Sequence, residues 1–113
     1  MSRLSIQELP QYSFFVKRAL ISAMPLADEE QRLQWLADLA SEPYTLEKMK
    51  CFLQGIKDTE KLADSLRLLR REVLLTLIAR DATGLAQYEE VVKTMTDLAQ
   101  LAVSQTVRVH ALG

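Results

Sequence analysis

Lys61–Asp81 reads KLADSLRLLRREVLLTLIARD, and the spacing of its apolar residues decides the fold. Leu62, Leu66, Leu69, Val73 and Leu77 recur at steps of three and four, which draws one stripe along a helix. From Val73 to Ala79 the run VLLTLIA is apolar on every side but for Thr76. A helix that is hydrophobic all round belongs in the interior. Just before that run, Arg67, Arg70 and Arg71 fall within about a third of the circumference at about 100° per residue. The segment is therefore one helix with a basic first half and a buried second half.

Working outward, the downstream neighbour is a second long helix. Ala82-Thr83-Gly84 is a short loop signal. Leu85, Tyr88, Val92, Met95, Ala99, Ala102 and Thr106 then follow a three-four spacing, with Val91, Leu98, Leu101 and Val103 widening the face. Two long helices, near 59–81 and 85–111, joined by so short a loop pack antiparallel.

Upstream, three shorter helices are expected. Residues 1–8 read as a loose arm. Pro10 suits a first helical turn, and Leu9, Tyr12, Val16, Ala19, Leu20 and Ala23 make a stripe that ends before Pro25. Asp28 and Gln31 have capping-box spacing, and Glu29 and Glu30 sit at the positive end of the next helix dipole. Leu33, Leu36, Ala37 and Ala40 form its face, with Trp35 and Leu39 on another side. Ser41-Glu42-Pro43 breaks it. Thr45 caps a short helix with Leu46, Met49, Phe52, Leu53 and Ile56 on its face. Gly55 ends it, and Asp58 or Thr59 caps the long helix. The expectation is one all-α domain over 1–113, a bundle of about five helices dominated by the C-terminal pair.

Composition agrees. Only three glycines and three prolines occur in 113 residues, which favours helices over strands and turns. Fourteen basic residues face fifteen acidic ones, so there is no general attraction to nucleic acid or to an anionic membrane. Cys51 is the only cysteine, so no internal disulfide forms, and on an apolar helix it reads as a buried structural thiol. The first 25 residues do not resemble a signal peptide, and no run approaches the roughly 18 apolar residues that span a bilayer. A cytoplasmic location is the expectation.

No catalytic constellation is recognisable. His110, the single histidine, suits a helix C-terminus. Consecutive acids in Asp28-Glu29-Glu30 and Glu89-Glu90 diverge by about 100° each and do not converge on one ion. Gly55, Gly84 and Gly113 stand too far apart for a phosphate loop. The expected cofactors of the segment itself are none, and no catalytic or metal residue is assigned. Arg67, Arg70 and Arg71 remain: guanidinium groups bind phosphate, or pair with acids of a neighbouring helix or another domain. Without a wider basic surface, pairing is preferred. Arg80-Asp81 carries the same ambiguity, so the candidate interdomain contacts are Arg67, Arg70, Arg71, Arg80 and Asp81.

The ordered run from Leu66 to Val92 has a further meaning. Leu66-Arg67, Arg70-Arg71, Ile78-Ala79-Arg80-Asp81, Gly84-Leu85 and Glu90-Val91, followed by TDLAQLAV at Thr96–Val103, resemble the helical region before a nucleotidyltransferase domain. The family is the bifunctional glutamine synthetase adenylyltransferase/adenylyl-removing enzyme. The resemblance covers roughly Lys61 to Val103. It implies a parent that attaches AMP from ATP to glutamine synthetase in one half and removes it by phosphorolysis in the other. It also implies Mg²⁺ with ATP or phosphate, a PII-type signalling partner and glutamine as effector, all in nitrogen regulation. Arg80-Asp81 looks like the N-terminal half's version, which implies a place at the beginning of the enzyme, before a downstream adenylyl-removing domain. The family's Gly-Gly-x-Glu and Ser-Asp-x-Asp elements do not occur in these 113 residues, so no catalytic residue is carried over. A freestanding helical protein–protein interaction module is the alternative.

Overall fold

A computed structural model describes residues 3–112. Its elements are α1 (Leu9–Tyr12), α2 (Phe14–Ala23), α3 (Glu29–Ala40), α4 (Leu46–Phe52), α5 (Thr59–Ala82) and α6 (Tyr88–Leu112). Among the described residues all regular structure is helical, as the composition and periodicity predict.

About five helices are expected and six are present among the described residues, the extra one because of Ser13. Its backbone is extended, and its hydroxyl accepts from Val16 N at 3.2 Å. The serine thus caps a new helix, and the stripe read across 9–23 is cut in two. Tyr12 is left exposed, while Leu9, Val16, Ala19 and Leu20 are buried. The other starts are the expected ones. Asp28 accepts from Gln31 N at 2.8 Å while Gln31 Oε1 accepts from Asp28 N at 3.0 Å. Thr45 caps α4 and Asp58 caps α5. The arm is not loose over its described part. Leu4 N donates to Ala82 O at 3.0 Å, and Leu4 and Ile6 pack against a core. Met1 and Ser2 lie outside the described residues.

Helix α5 divides the interior. Its Leu62, Leu69, Val73 and Leu77 join Tyr44, Met49, Leu53, Leu98, Leu101 and Val109 in one core. Leu75 and Ala79 join Leu9, Val16, Leu20, Leu36 and Ala40 in another. This is what the all-round apolar run from Val73 onward requires. At one end of the long pair Arg80 meets Glu90, and at the other Arg108 Nη2 donates to Ile56 O at 2.8 Å. The expected antiparallel arrangement of α5 and α6 follows from those two contacts.

Three details of the sequence reading are corrected. Helix α6 starts at Tyr88 rather than Leu85, because Leu85 N and Ala86 N both turn back to Arg80 O, at 2.7 and 3.1 Å. Its buried face also runs through Thr94, Leu98, Leu101 and Val109, with Val91 and Met95 packed against it. Of the expected stripe, Leu85, Tyr88, Val92, Ala99 and Thr106 are exposed and Met95 and Ala102 half-buried, while Leu98 and Leu101, expected to widen the face, are buried. That stripe depended on alanine and threonine, whereas the larger aliphatic groups lie about 100° away. Cys51 is a free, exposed thiol instead of a buried one. Met49 and Leu53, one turn apart, take the core face of this short element, and Cys51 points away.

Between α5 and α6, Gly84 has φ +80°, and a Cβ there would meet the Arg3 side chain. Gly84→Ala is expected to lower stability by roughly 1–2 kcal/mol. Urea unfolding of the purified variant measures this, and an unchanged midpoint would remove the argument.

Candidate interdomain contact site

The five expected contact residues do not form one patch. Arg67 pairs with Asp64 one turn earlier, both exposed. Arg70 is exposed beside it. Together they rim an open cleft between α5 and α6 of about 460 Å³, floored by Leu66, Met95, Leu98 and Ala102. Arg71 lies on the other flank of α5, where its Nη1 donates to Ser22 Oγ of α2 at 3.1 Å.

Arg80 is withdrawn from the surface, with 8% of its area exposed. Its Nε donates to Glu90 Oε2 at 2.7 Å and its Nη2 to Glu90 Oε1 at 3.0 Å. Nη1 donates to Ala40 O at 3.0 Å, and Nη2 also reaches Leu85 O at 3.3 Å. One guanidinium thus ties α3, α5, the connecting turn and α6 together. A buried charge is tolerated only when paired and hydrogen-bonded in this way. Of the two pairings left open for Arg80, a neighbouring helix or another domain, the structure supplies the first. Asp81, next in sequence, is exposed.

From sequence, Glu90 is one of two adjacent acids that do not converge on an ion, and nothing there pairs it with Arg80. An arginine at the end of an apolar run calls for a buried acid, and Asp81, Glu89 and Glu90 all lie within reach in sequence. A second polar link, between Tyr44 and Glu72, carried no sequence signal. Tyr44 is buried and its hydroxyl donates to Glu72 Oε2 at 2.5 Å. Burial, then the hydrogen bond and charge of Glu72, push the phenol well above its ordinary range.

That shift has a sign. In the unfolded chain the phenol loses its proton near pH 10. The folded chain keeps it, so above that pH the unfolded state binds fewer protons and stability falls as pH rises. The contribution is fully present below about pH 10 and is lost on the way to the raised folded value. Tyr44→Phe should flatten this alkaline slope, as measured by urea unfolding between about pH 9 and 11. An identical slope in the variant would show that Tyr44 is not its source.

Among the described residues no group of three or more His, Cys, Asp or Glu side chains is placed to hold a metal ion. Glu90 is engaged by Arg80, and Asp28 by its helix cap. Among the described residues no helix is long and apolar enough to cross a membrane.

Fold and site together define an all-helical segment with a closed interior and a basic-rimmed cleft along its longest pair of helices. The chain belongs to the glutamate-ammonia ligase adenylyltransferase family, whose profile matches residues 5–111, well beyond the Lys61–Val103 span of the sequence resemblance. It is 40% identical over 96 residues to the bifunctional glutamine synthetase adenylyltransferase/adenylyl-removing enzyme of Nitrosomonas europaea, a match covering 81% of this chain and 10% of the relative. Chromobacterium violaceum has a protein of the same name, 37% identical over 99 residues, with 86% of this chain and 10% of the relative covered. For the Aromatoleum aromaticum protein of that name the match is 35% over 111 residues, 96% of this chain and 11% of the relative. The chain therefore spans about a tenth of the length of the curated relatives it matches. No solved structure matches it.

Proposed function

We propose that this chain is a helical scaffold segment of an enzyme that adenylylates and deadenylylates glutamine synthetase. It supports the adenylyl-removing domain, in front of which it lies in the polypeptide. The observation that carries the reading is the α5–α6 cleft with Arg67 and Arg70 on its rim. It is apolar at its floor, cationic at its edge and formed by the helices that also carry the family-like sequence. Family membership over nearly the whole chain supports the same reading.

The chemistry belongs to other parts of the parent. Mg²⁺ with ATP or phosphate would be held by the family's Ser-Asp-x-Asp carboxylates, which are not among these 113 residues. Glutamine synthetase and a PII-type signalling protein are partners of the parent enzyme under this proposal, and its compartment is the cytoplasm. What these residues contribute is shape and charge. The floor of the cleft accepts apolar groups, and the exposed guanidiniums make charge-assisted hydrogen bonds to a docked acid.

The test is Arg67→Glu with Arg70→Glu, made in a complete family enzyme carrying this segment. Both arginines are exposed, so the segment's own stability should change by about 1 kcal/mol or less. Adenylyl removal from glutamine synthetase should fall by about tenfold, because a reversed pair at a docking rim repels instead of attracting. Adenylyl addition serves as the internal control. If both activities stay at the parent level, this cleft is not a docking surface.

A further inference from the structure

A different surface, on the α2 flank of α5, carries its own signal. Phe14, Arg18 and Ile21 follow one another at helical spacing along the outer face of α2. Phe14 is 72% exposed, Ile21 46% and neighbouring Phe15 41%. Such large apolar groups gathered on one short helix are costly in water unless something covers them. They line one wall of an open cleft of about 680 Å³, and Ser22 and Arg71 line the rest of it with Ala19.

The charges in this cleft are of one sign. Arg18 holds its guanidinium over the Phe14 ring, 5.5 Å from the centroid. Arg71 gives one hydrogen bond, to Ser22 Oγ, and its Nε is shut off from water with no partner. Among the described residues no carboxylate lines the cleft. Among the described residues neither arginine makes an ion pair, although Arg67, Arg80, Lys48 and Lys93 all do. Two guanidiniums beside exposed phenylalanines, one of them short of acceptors, form a complement to an acid carried next to an apolar side chain.

We propose that the α2–α5 cleft is a docking site for an acidic amphipathic helix of a protein partner. The apolar face of that helix covers Phe14, Phe15 and Ile21, and a carboxylate on its edge accepts from Arg71 and Arg18. The regular spacing along α2 suits a helix laid alongside it, with anchors about one turn apart. Charge complementarity selects the acid. Two cations in a chain of net charge −1 are too few to hold a polyanionic backbone or an anionic bilayer. The inference is independent of the Arg67–Arg70 cleft, which opens on the other flank of α5.

The experiment is a titration of the isotope-labelled chain by NMR with three synthetic helical peptides of about five turns. All share one leucine-bearing face and differ only in edge residues: glutamate, glutamine or lysine. The glutamate peptide should shift amides of residues 14–22 and of Arg71. The glutamine peptide should bind about tenfold more weakly, the worth of one charge-assisted contact, and the lysine peptide not at all. Arg71→Gln should abolish the preference for glutamate over glutamine. Phe14→Ser should weaken both peptides, whereas Arg70→Gln should leave both unchanged. The spectra themselves report whether each variant is folded. Equal binding of glutamate and glutamine peptides, no binding of either, or shifts confined to residues 63–70 and 95–102 would overturn the proposal. So would concentration-dependent self-association, or adsorption to phosphatidylserine vesicles, that is lost in Phe14→Ser.

Discussion

Arg80→Ala is expected to destabilise the chain by about 3–5 kcal/mol, the usual cost of breaking a buried ion pair from one side. The loss has three parts. Glu90 keeps its charge in a mostly covered position with nothing to answer it. The carbonyls of Ala40 and Leu85 lose their donor. The side-chain volume between α3 and α6 is also vacated. Glu90→Ala should be comparably severe, since it strands the guanidinium. Replacing both, Arg80→Ala with Glu90→Ala, should cost less than the two single changes added together. The coupling should be about 1–3 kcal/mol, because neither variant side chain then leaves a charge unpaired. Salt should have little effect on this coupling, as the pair is shielded from solvent and counterions. Urea unfolding of the two singles and the double, at low and high salt, measures all of this. Strict additivity would show that Arg80 acts as packing alone.

The same residue shows where sequence reading stops. The caps were legible because capping is local: Asp28 with Gln31, Thr45 and Asp58 each act within three residues of themselves. The stripe on α5 was legible because five large aliphatic residues repeat on one lattice. Ser13 was not, since a serine within an apolar stripe fits either a helix interior or a cap, and only packing around Leu9 and Val16 decides. On α6 the expected face includes Val91, Met95, Leu98 and Leu101, which the core takes, but its centre is displaced by about 100° because periodicity alone weights an alanine like a leucine. Arg80 needed partners from Ala40, Leu85 and Glu90, which only the assembled fold brings together. For the candidate contact site, sequence showed that Arg67, Arg70 and Arg71 share a third of the helix. It did not show that the boundary between two neighbouring helices falls among them. Arg67 and Arg70 end beside α6, and Arg71 ends beside α2.

The largest apolar effects are expected on α5, because it serves both cores. Leu69 and Leu75 are each fully buried, Leu69 against the α4–α6 side and Leu75 against the α2–α3 side. Leu69→Ala and Leu75→Ala should each cost about 2–5 kcal/mol, through lost transfer energy and an unfilled cavity. The two residues sit about 9 Å apart along the helix and touch different clusters, so the double variant should approach the sum. A domain of this kind has only about 5–15 kcal/mol in total, so the double variant should be largely unfolded at 25 °C or close to it. Arg70→Ala is the necessary contrast: an exposed arginine should cost about 1 kcal/mol or less. Thermal and urea unfolding, followed by circular dichroism at 222 nm, give the four values. Each single leucine variant should keep one cooperative transition, since both cores share α5 and neither can melt without it. Two separated transitions in Leu75→Ala would show that α1–α3 unfold on their own. An Arg70→Ala loss as large as that of Leu69→Ala would make the arginine an internal partner, and the α5–α6 cleft would no longer be available for docking.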